Sequence, residues 1–152
     1  MNKLVAGLTA GLVATGPMTL TLGALYRYLP WREWDVPPYA ITMEVAEWAG
    51  AKEHLNLPQR LEVTVASHFA YGAAMGAGCA PAVRKLPLHP VVGGIACGLG
   101  VWAASYAGWL PALNIYPSPA KKSARHTAII IASHVVWGAV MGLLVERLDS
   151  EA

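Results

Sequence analysis

Long apolar runs without a charged side chain constrain the fold of this chain more than any other feature. There are four such runs, and they cover residues 4–25, 63–83, 91–113 and 127–145. Each is about as long as the stretch of roughly 20 apolar residues that a helix needs to cross a bilayer. The sequence therefore predicts four membrane-spanning helices.

The composition supports the same interpretation. Hydrophobic residues make up 55% of the 152 residues and charged residues only 13%, about half of the roughly 25% that soluble domains carry. The net charge of +2 is too small to indicate a nucleic-acid-binding surface. We expect a single membrane domain over residues 1–152, surrounded by lipid and without a nucleic-acid partner.

The connection between the first two runs contains a short amphipathic segment, at about residues 38–50. Within it, Ile41, Val45 and Trp48 recur at the i, i+4, i+7 spacing of one helix face. A helix of this kind, close to several tryptophans, is typical of a membrane interface. We expect it to lie at the interface directly after the first span.

A segment of eleven residues occurs twice in the chain. Residues 66–76 and 132–142 are identical at seven of eleven positions, and an aromatic side chain, Tyr71 or Trp137, occupies the same place in both copies. The simplest explanation is a duplicated two-helix hairpin. Because each hairpin has an even number of spans, both copies would insert with the same polarity, as parallel repeats.

Each of the four runs also carries two glycines that are four residues apart. Glycines at this spacing let helix backbones approach closely, which is a main source of attraction between helices in lipid. We therefore predict an all-α four-helix bundle built from two related hairpins, and we expect it to form a homo-oligomer or to join a larger membrane complex. The glycines are Gly7, Gly11, Gly72, Gly76, Gly94, Gly98, Gly138 and Gly142.

Two histidines lie inside the apolar runs at equivalent positions of the repeat. His68 and His134 each precede two of these glycines by four and eight residues, so helical geometry turns both imidazoles toward the packed interior. Ionisable residues at this depth are candidate functional residues. The preceding Ser67 and Ser133 are expected to donate hydrogen bonds to carbonyls of their own helix. His126 lies on the same helix face as His134, nearer to the interface.

Three interpretations of the histidine pair remain open. In the first, each neutral imidazole makes an interhelical hydrogen bond that specifies packing. In the second, the pair senses or passes protons, because imidazole titrates near neutral pH. In the third, both histidines bind one b-type haem or a metal ion between them. We expect no cofactor under the first two interpretations.

The sequence contains no pattern that is typical of an enzyme active site. A nucleophile elbow, a phosphate-binding loop and a dinucleotide-binding motif are all absent from it. Cys79 and Cys97 lack the spacing of a metal site, so we expect them to be small buried residues. We do not expect an enzyme.

Several short motifs resemble those of the YagU-like bacterial inner-membrane proteins. They are Pro37-Pro-Tyr, the amphipathic stretch that ends in Trp48-Ala-Gly, the span with His68, and Ser133-His-Val-Val-Trp in the last span. The resemblance covers most of the chain from Pro37 onward. It implies a multi-pass inner-membrane protein with both termini in the cytoplasm and a loose link to acid tolerance. Charge counting alone leaves this orientation open.

Overall fold

Five helices form the computed structural model of the chain, which describes residues 2–150. They are α1 (Lys3–Tyr26), α2 (Pro37–Trp48), α3 (Leu57–Lys85), α4 (Pro90–Ala112) and α5 (Ala124–Ser150). No strand occurs within residues 2–150. The prediction of an all-helical chain is confirmed.

Within the described residues, α1, α4 and α5 are long and apolar enough to cross a membrane. The prediction of transmembrane helices is thus supported for three of the four apolar runs. With 29 residues α3 is longer than these three, but it begins and ends in charged segments. Its middle, residues 66–80, consists mostly of alanine and glycine rather than of larger apolar residues.

The ends of the helices are set by local signals as well as by hydropathy. The side chains of Asn56 and Gln59 each accept a hydrogen bond from the other's backbone N–H, at 3.0 and 2.9 Å. This capping box starts α3 at Leu57, six residues before the apolar run that we expected to form the span. Pro37 occupies the first position of α2, where its missing N–H costs nothing.

The predicted glycine pairs lie against one another in two helix pairs. Gly7 and Gly11 of α1 meet Gly72 and Gly76 of α3, and a Cβ added at Gly11 would lie 2.7 Å from the Cα of Gly76. The backbones therefore touch, and no side chain fits between them. The pair formed by α1 and α3 corresponds to the first of the two predicted hairpins.

The second hairpin has the same kind of contact between α4 and α5. Gly94 and Gly98 meet Gly138 and Gly142, and a Cβ at Gly94 would lie 2.9 Å from the Cα of Gly142. In each hairpin the two helices thus approach at backbone distance over two turns.

The two hairpins meet unevenly. On one side α1 packs closely along α5, around a core that includes Ala10, Ala14, Trp137 and Met141. On the other side α3 approaches α4 much less closely, and α2 lies against α3. This uneven packing leaves space between the helices on the α2 side.

One segment of α4 departs from regular α-helix. Residues Ala103–Trp109 form a π-helical stretch, and Gly108 within it has φ −110° and ψ −107°. Such wide turns often occur at functional sites. The sequence predicted an ordinary span here, so the irregular stretch is a difference from expectation.

Candidate functional site

A cavity of about 500 Å³ fills the space between the two hairpins and α2. All five helices contribute to its wall, which is mostly apolar. No Asp, Glu, Lys or Arg among the described residues lines it. Its volume lies within the range of roughly 300–1,000 Å³ that is common for small-molecule sites.

His134 lines this cavity and has a defined tautomer. Its Nδ1 donates a 2.8 Å hydrogen bond to the carbonyl of Ile130, one turn earlier in α5. Because a carbonyl only accepts, the neutral ring carries its proton on Nδ1 and keeps Nε2 as an acceptor. The ring of Tyr106 packs edge-on against the imidazole, with 5.7 Å between the ring centroids. Local contacts therefore fix the ring.

His68 lines the same cavity, so the structure brings together the two histidines that the repeat relates. Its Nε2 is buried without a hydrogen-bond partner among the described residues. Leaving such an atom unpaired costs about 1–3 kcal/mol. The first interpretation of the pair is wrong for His134, because the hydrogen bond of that ring stays within its own helix.

The two aromatic residues of the repeat connect the hairpins. The hydroxyl oxygens of Tyr71 in α3 and Ser105 in α4 are 2.9 Å apart. Trp137 in α5 donates from Nε1 to the carbonyl of Gly11 in α1, at 3.2 Å. Each aromatic side chain thus bonds to the first helix of the other hairpin, and both line the cavity.

The two serines of the repeat bond to their own helices. Ser133 donates to the carbonyl of Ile129 at 2.9 Å, and Ser67 donates to that of Thr64 at 3.1 Å. The Ser67 hydroxyl also lies 2.8 Å from the Thr42 hydroxyl of α2. This last contact holds α2 against α3 beside the cavity.

His126 lies apart from the cavity, in a polar cluster at the start of α5. Its Nε2 is 3.0 Å from the hydroxyl of Tyr26, which donates to the carbonyl of Asp35 at 3.0 Å. The Asp35 carboxylate pairs with Lys122 at 2.6 Å. Burial and then this carboxylate raise the pKa of Tyr116 well above its usual value. The cluster fastens the 27–36 segment to the loop before α5.

Ser105, Tyr106 and Trp109 line the cavity from the π-helical stretch of α4. The sequence analysis missed them because it treated residues 91–113 as one uniform span. The available signal was a serine and a tyrosine side by side in an apolar run, followed closely by Gly108 and Pro111.

The mouth of the cavity lies between α2, α3 and the π-helical stretch of α4. Tyr71 and Trp109 stand there, each 39% exposed, with their ring centroids 6.5 Å apart. Val45 of α2 and Val63 of α3 are exposed cavity-lining residues on the same side. The opening is therefore bordered by apolar and aromatic side chains.

The two cysteines face each other across α3 and α4. The thiol of Cys97 is 3.9 Å from the carbonyl oxygen of Cys79, and both cysteines are free and partly buried. Neither lines the cavity. Within the described residues, no group of three or more His, Cys, Asp or Glu side chains is arranged to hold a metal ion.

No family model, curated protein or solved structure matches the chain.

Proposed function

We propose that the chain is a multi-pass protein of the bacterial inner membrane that binds a small uncharged molecule in the cavity. In this proposal α3 is the fourth span. Its 29 residues extend over about 43 Å at a rise of 1.5 Å per residue, more than the ~30 Å of a hydrocarbon core. Its glycines also meet those of α1, and a helix packed along a spanning helix has to cross with it.

The matched glycine contacts support the parallel repeat within this proposal. In each hairpin, the two helices contact each other through glycines that are four residues apart. The repeated segment lies in the second helix of each hairpin, in α3 and in α5. On the α2 side, Trp31, Trp34 and Trp48 are 76%, 58% and 56% exposed. Such exposed tryptophans support an interfacial position for α2. The inner membrane and cytoplasmic termini follow from the YagU-like resemblance.

The observation that carries the binding proposal is a cavity of about 500 Å³ that contains both histidines and no charged side chain among its described lining residues. An apolar cavity with a few convergent polar groups is the usual form of a small-molecule site. The free Nε2 of His134, whose ring lines the cavity, gives such a molecule a polar atom to bind.

Naphthalene, a small uncharged ring compound, tests this function by thermal unfolding of the purified protein. At ten times its Kd, a ligand that binds only the folded state adds about 1.4 kcal/mol of stability, which raises the Tm by a few degrees. We expect a saturable rise for the wild type. Thr42→Trp fills the cavity beside α2 and should abolish the rise, whereas Val65→Trp, at an exposed position outside the cavity, should retain it. Equal responses of both variants would refute the proposal.

Proton sensing by the histidine pair is a second candidate function. A proton on His68 or His134 would place a charge in a cavity whose described lining has no counter-charge, so the protonation state should control what binds. Toward the chain termini the cavity gives way to the apolar core around Ala10 and Met141, which favours sensing over passage through the membrane. If His68→Gln combined with His134→Gln leaves pH-dependent proton flux in liposomes and acid survival unchanged, this candidate should be dropped.

A b-type haem or a metal ion between the two histidines is the third candidate. His134 has its Nδ1 bonded to a carbonyl and its Nε2 lone pair available, as in many metal-binding histidines. A visible spectrum and a metal analysis of purified protein test this directly. A sample without a Soret band and without stoichiometric metal would exclude it.

An oligomer or a larger membrane complex also remains a proposal, but its basis has changed. All eight predicted glycines contact another helix of the same chain, so they are not available for a second copy. Association would use the exposed apolar faces, for example that of α1 with Leu12 and Leu20. Light scattering of the detergent-purified protein measures the number of copies, and a monomer would contradict self-association.

A further inference from the structure

The charge of the cavity wall restricts what it can hold. Because its described lining contains no ionised side chain, a charged molecule would lose its hydration without gaining a partner of opposite charge. Such a transfer is strongly unfavourable. If the cavity binds a ligand as proposed above, that ligand is uncharged.

The hydrogen-bonding groups of the cavity then select for a donor. His134 presents Nε2 as an acceptor, because its proton is held on Nδ1 by the carbonyl of Ile130. The neighbouring Ser133 hydroxyl already donates to the carbonyl of Ile129. A ligand that carries a hydroxyl group can donate to His134, whereas an ether or a hydrocarbon of the same shape cannot.

The shape of the wall favours a ring. Tyr71, Tyr106, Trp109 and Trp137 all line the cavity, and Tyr106 stands beside the imidazole of His134. Aromatic side chains pack well against other rings in offset or edge-to-face arrangements. A flat aromatic body with one hydroxyl would therefore contact the rings and the acceptor together.

We infer that the ligand of this cavity is an uncharged aromatic alcohol, with a phenol-like or hydroquinone-like head group, that donates its hydroxyl hydrogen to Nε2 of His134. The inference rests on the proposed binding function and names the class of molecule for that same site. It also assigns the two histidines different roles, since His134 selects the hydroxyl, whereas the Nε2 of His68 is buried and does not contact the ligand.

Three naphthalene derivatives of similar size test the inference by calorimetric titration of the purified protein. They are 1-naphthol, 1-methoxynaphthalene, which lacks the donor, and 1-naphthoate, which is charged. A net hydrogen bond of ordinary strength corresponds to about a 5–10-fold difference in Kd. We expect 1-naphthol to bind more tightly than the methyl ether by this factor and 1-naphthoate not to bind.

The ratio of the Kd of 1-methoxynaphthalene to the Kd of 1-naphthol, measured in variants of the protein, identifies the acceptor. His134→Phe keeps a ring but removes the acceptor, so the ratio should fall to about one. His54→Phe, at an exposed position outside the cavity, should keep the wild-type ratio. Partitioning of the compounds into detergent is the same for each protein and cancels when ratios are compared.

The outcomes separate the two proposals. If both neutral compounds bind the wild type equally well, donation to His134 is refuted while the binding cavity stands. If neither binds, the binding function itself is refuted. If 1-naphthoate binds as tightly as 1-naphthol, the argument from charge is wrong. These comparisons use the wild type, so they test the preference for a donor and the argument from charge even if His134→Phe does not fold.

Discussion

Gly11 offers the sharpest test of how α1 and α3 pack. In Gly11→Ala, the new methyl carbon would lie 2.7 Å from the Cα of Gly76, against about 3.4 Å for ordinary contact, and the atoms it meets are backbone atoms of α3. A side-chain rotation cannot relieve this overlap, and the methyl carbon would lie even closer to the carbonyl oxygen of Gly72, so the two helices must separate by more than about 0.7 Å. Overpacking of this kind costs about 1–3 kcal/mol.

The matched control lies on the same helix. A Cβ added at Gly16 meets nothing within 4 Å, so Gly16→Ala changes helix propensity without changing the packing. Alanine is favoured over glycine inside a helix by up to about 1 kcal/mol. We expect Gly16→Ala to be as stable as the wild type or more stable, while Gly11→Ala loses stability despite the same gain in propensity.

Reversible unfolding of the purified protein by SDS, followed by tryptophan fluorescence, measures both free energies of unfolding. The two variants should differ by at least about 1 kcal/mol, the lower estimate for overpacking. If Gly11→Ala and Gly16→Ala are equally stable, α1 and α3 do not approach at backbone distance, and the support that this contact gives to α3 as a fourth span is lost.

Two further predictions concern contacts outside the glycine pairs. Tyr26→Phe removes the hydroxyl that bonds to the buried His126, and thermal unfolding should show that the free energy of unfolding falls by about 1–3 kcal/mol. The control Tyr28→Phe, at a 59% exposed position, should lower it much less. An equal loss in both variants would contradict the role of this hydrogen bond. Oxidation with copper phenanthroline should block both Cys79 and Cys97 from maleimide labelling within one chain, because the thiol of Cys97 lies close to the backbone of Cys79. If both thiols stay reactive after oxidation, α3 and α4 are not adjacent at this level.

Spacing along the sequence was sufficient to predict the features that depend on one helix face. Gly72 and Gly76 follow His68 on one face because of helical geometry alone, and in the structure these glycines meet α1 while His68 lines the cavity. The start of α3 could not be read from hydropathy, because the capping box at Asn56 extends the helix beyond its apolar run.

The cavity could not be predicted, because it depends on how whole helices are placed. It exists where α3 and α4 diverge and α2 covers the gap, and no short segment of sequence encodes that separation. The π-helical stretch that carries Ser105 could not be predicted either, because an apolar run gives the same hydropathy signal whether its helix is regular or widened. Both features therefore need the packed structure.

The two copies of the repeated segment have different environments, and this difference creates the site. In α5, Ser133 and Trp137 are 0% and 3% exposed, because α1 packs along this face. In α3, Ser67 is exposed and Tyr71 is 39% exposed, because the short α2 covers this face only in part and α4 approaches α3 much less closely than α1 approaches α5. Equally close packing on both sides would have closed both faces and buried His68 as fully as His134, which is 6% exposed. The short helix α2, in place of close α3–α4 packing, thus gives His68 and His134 a shared cavity.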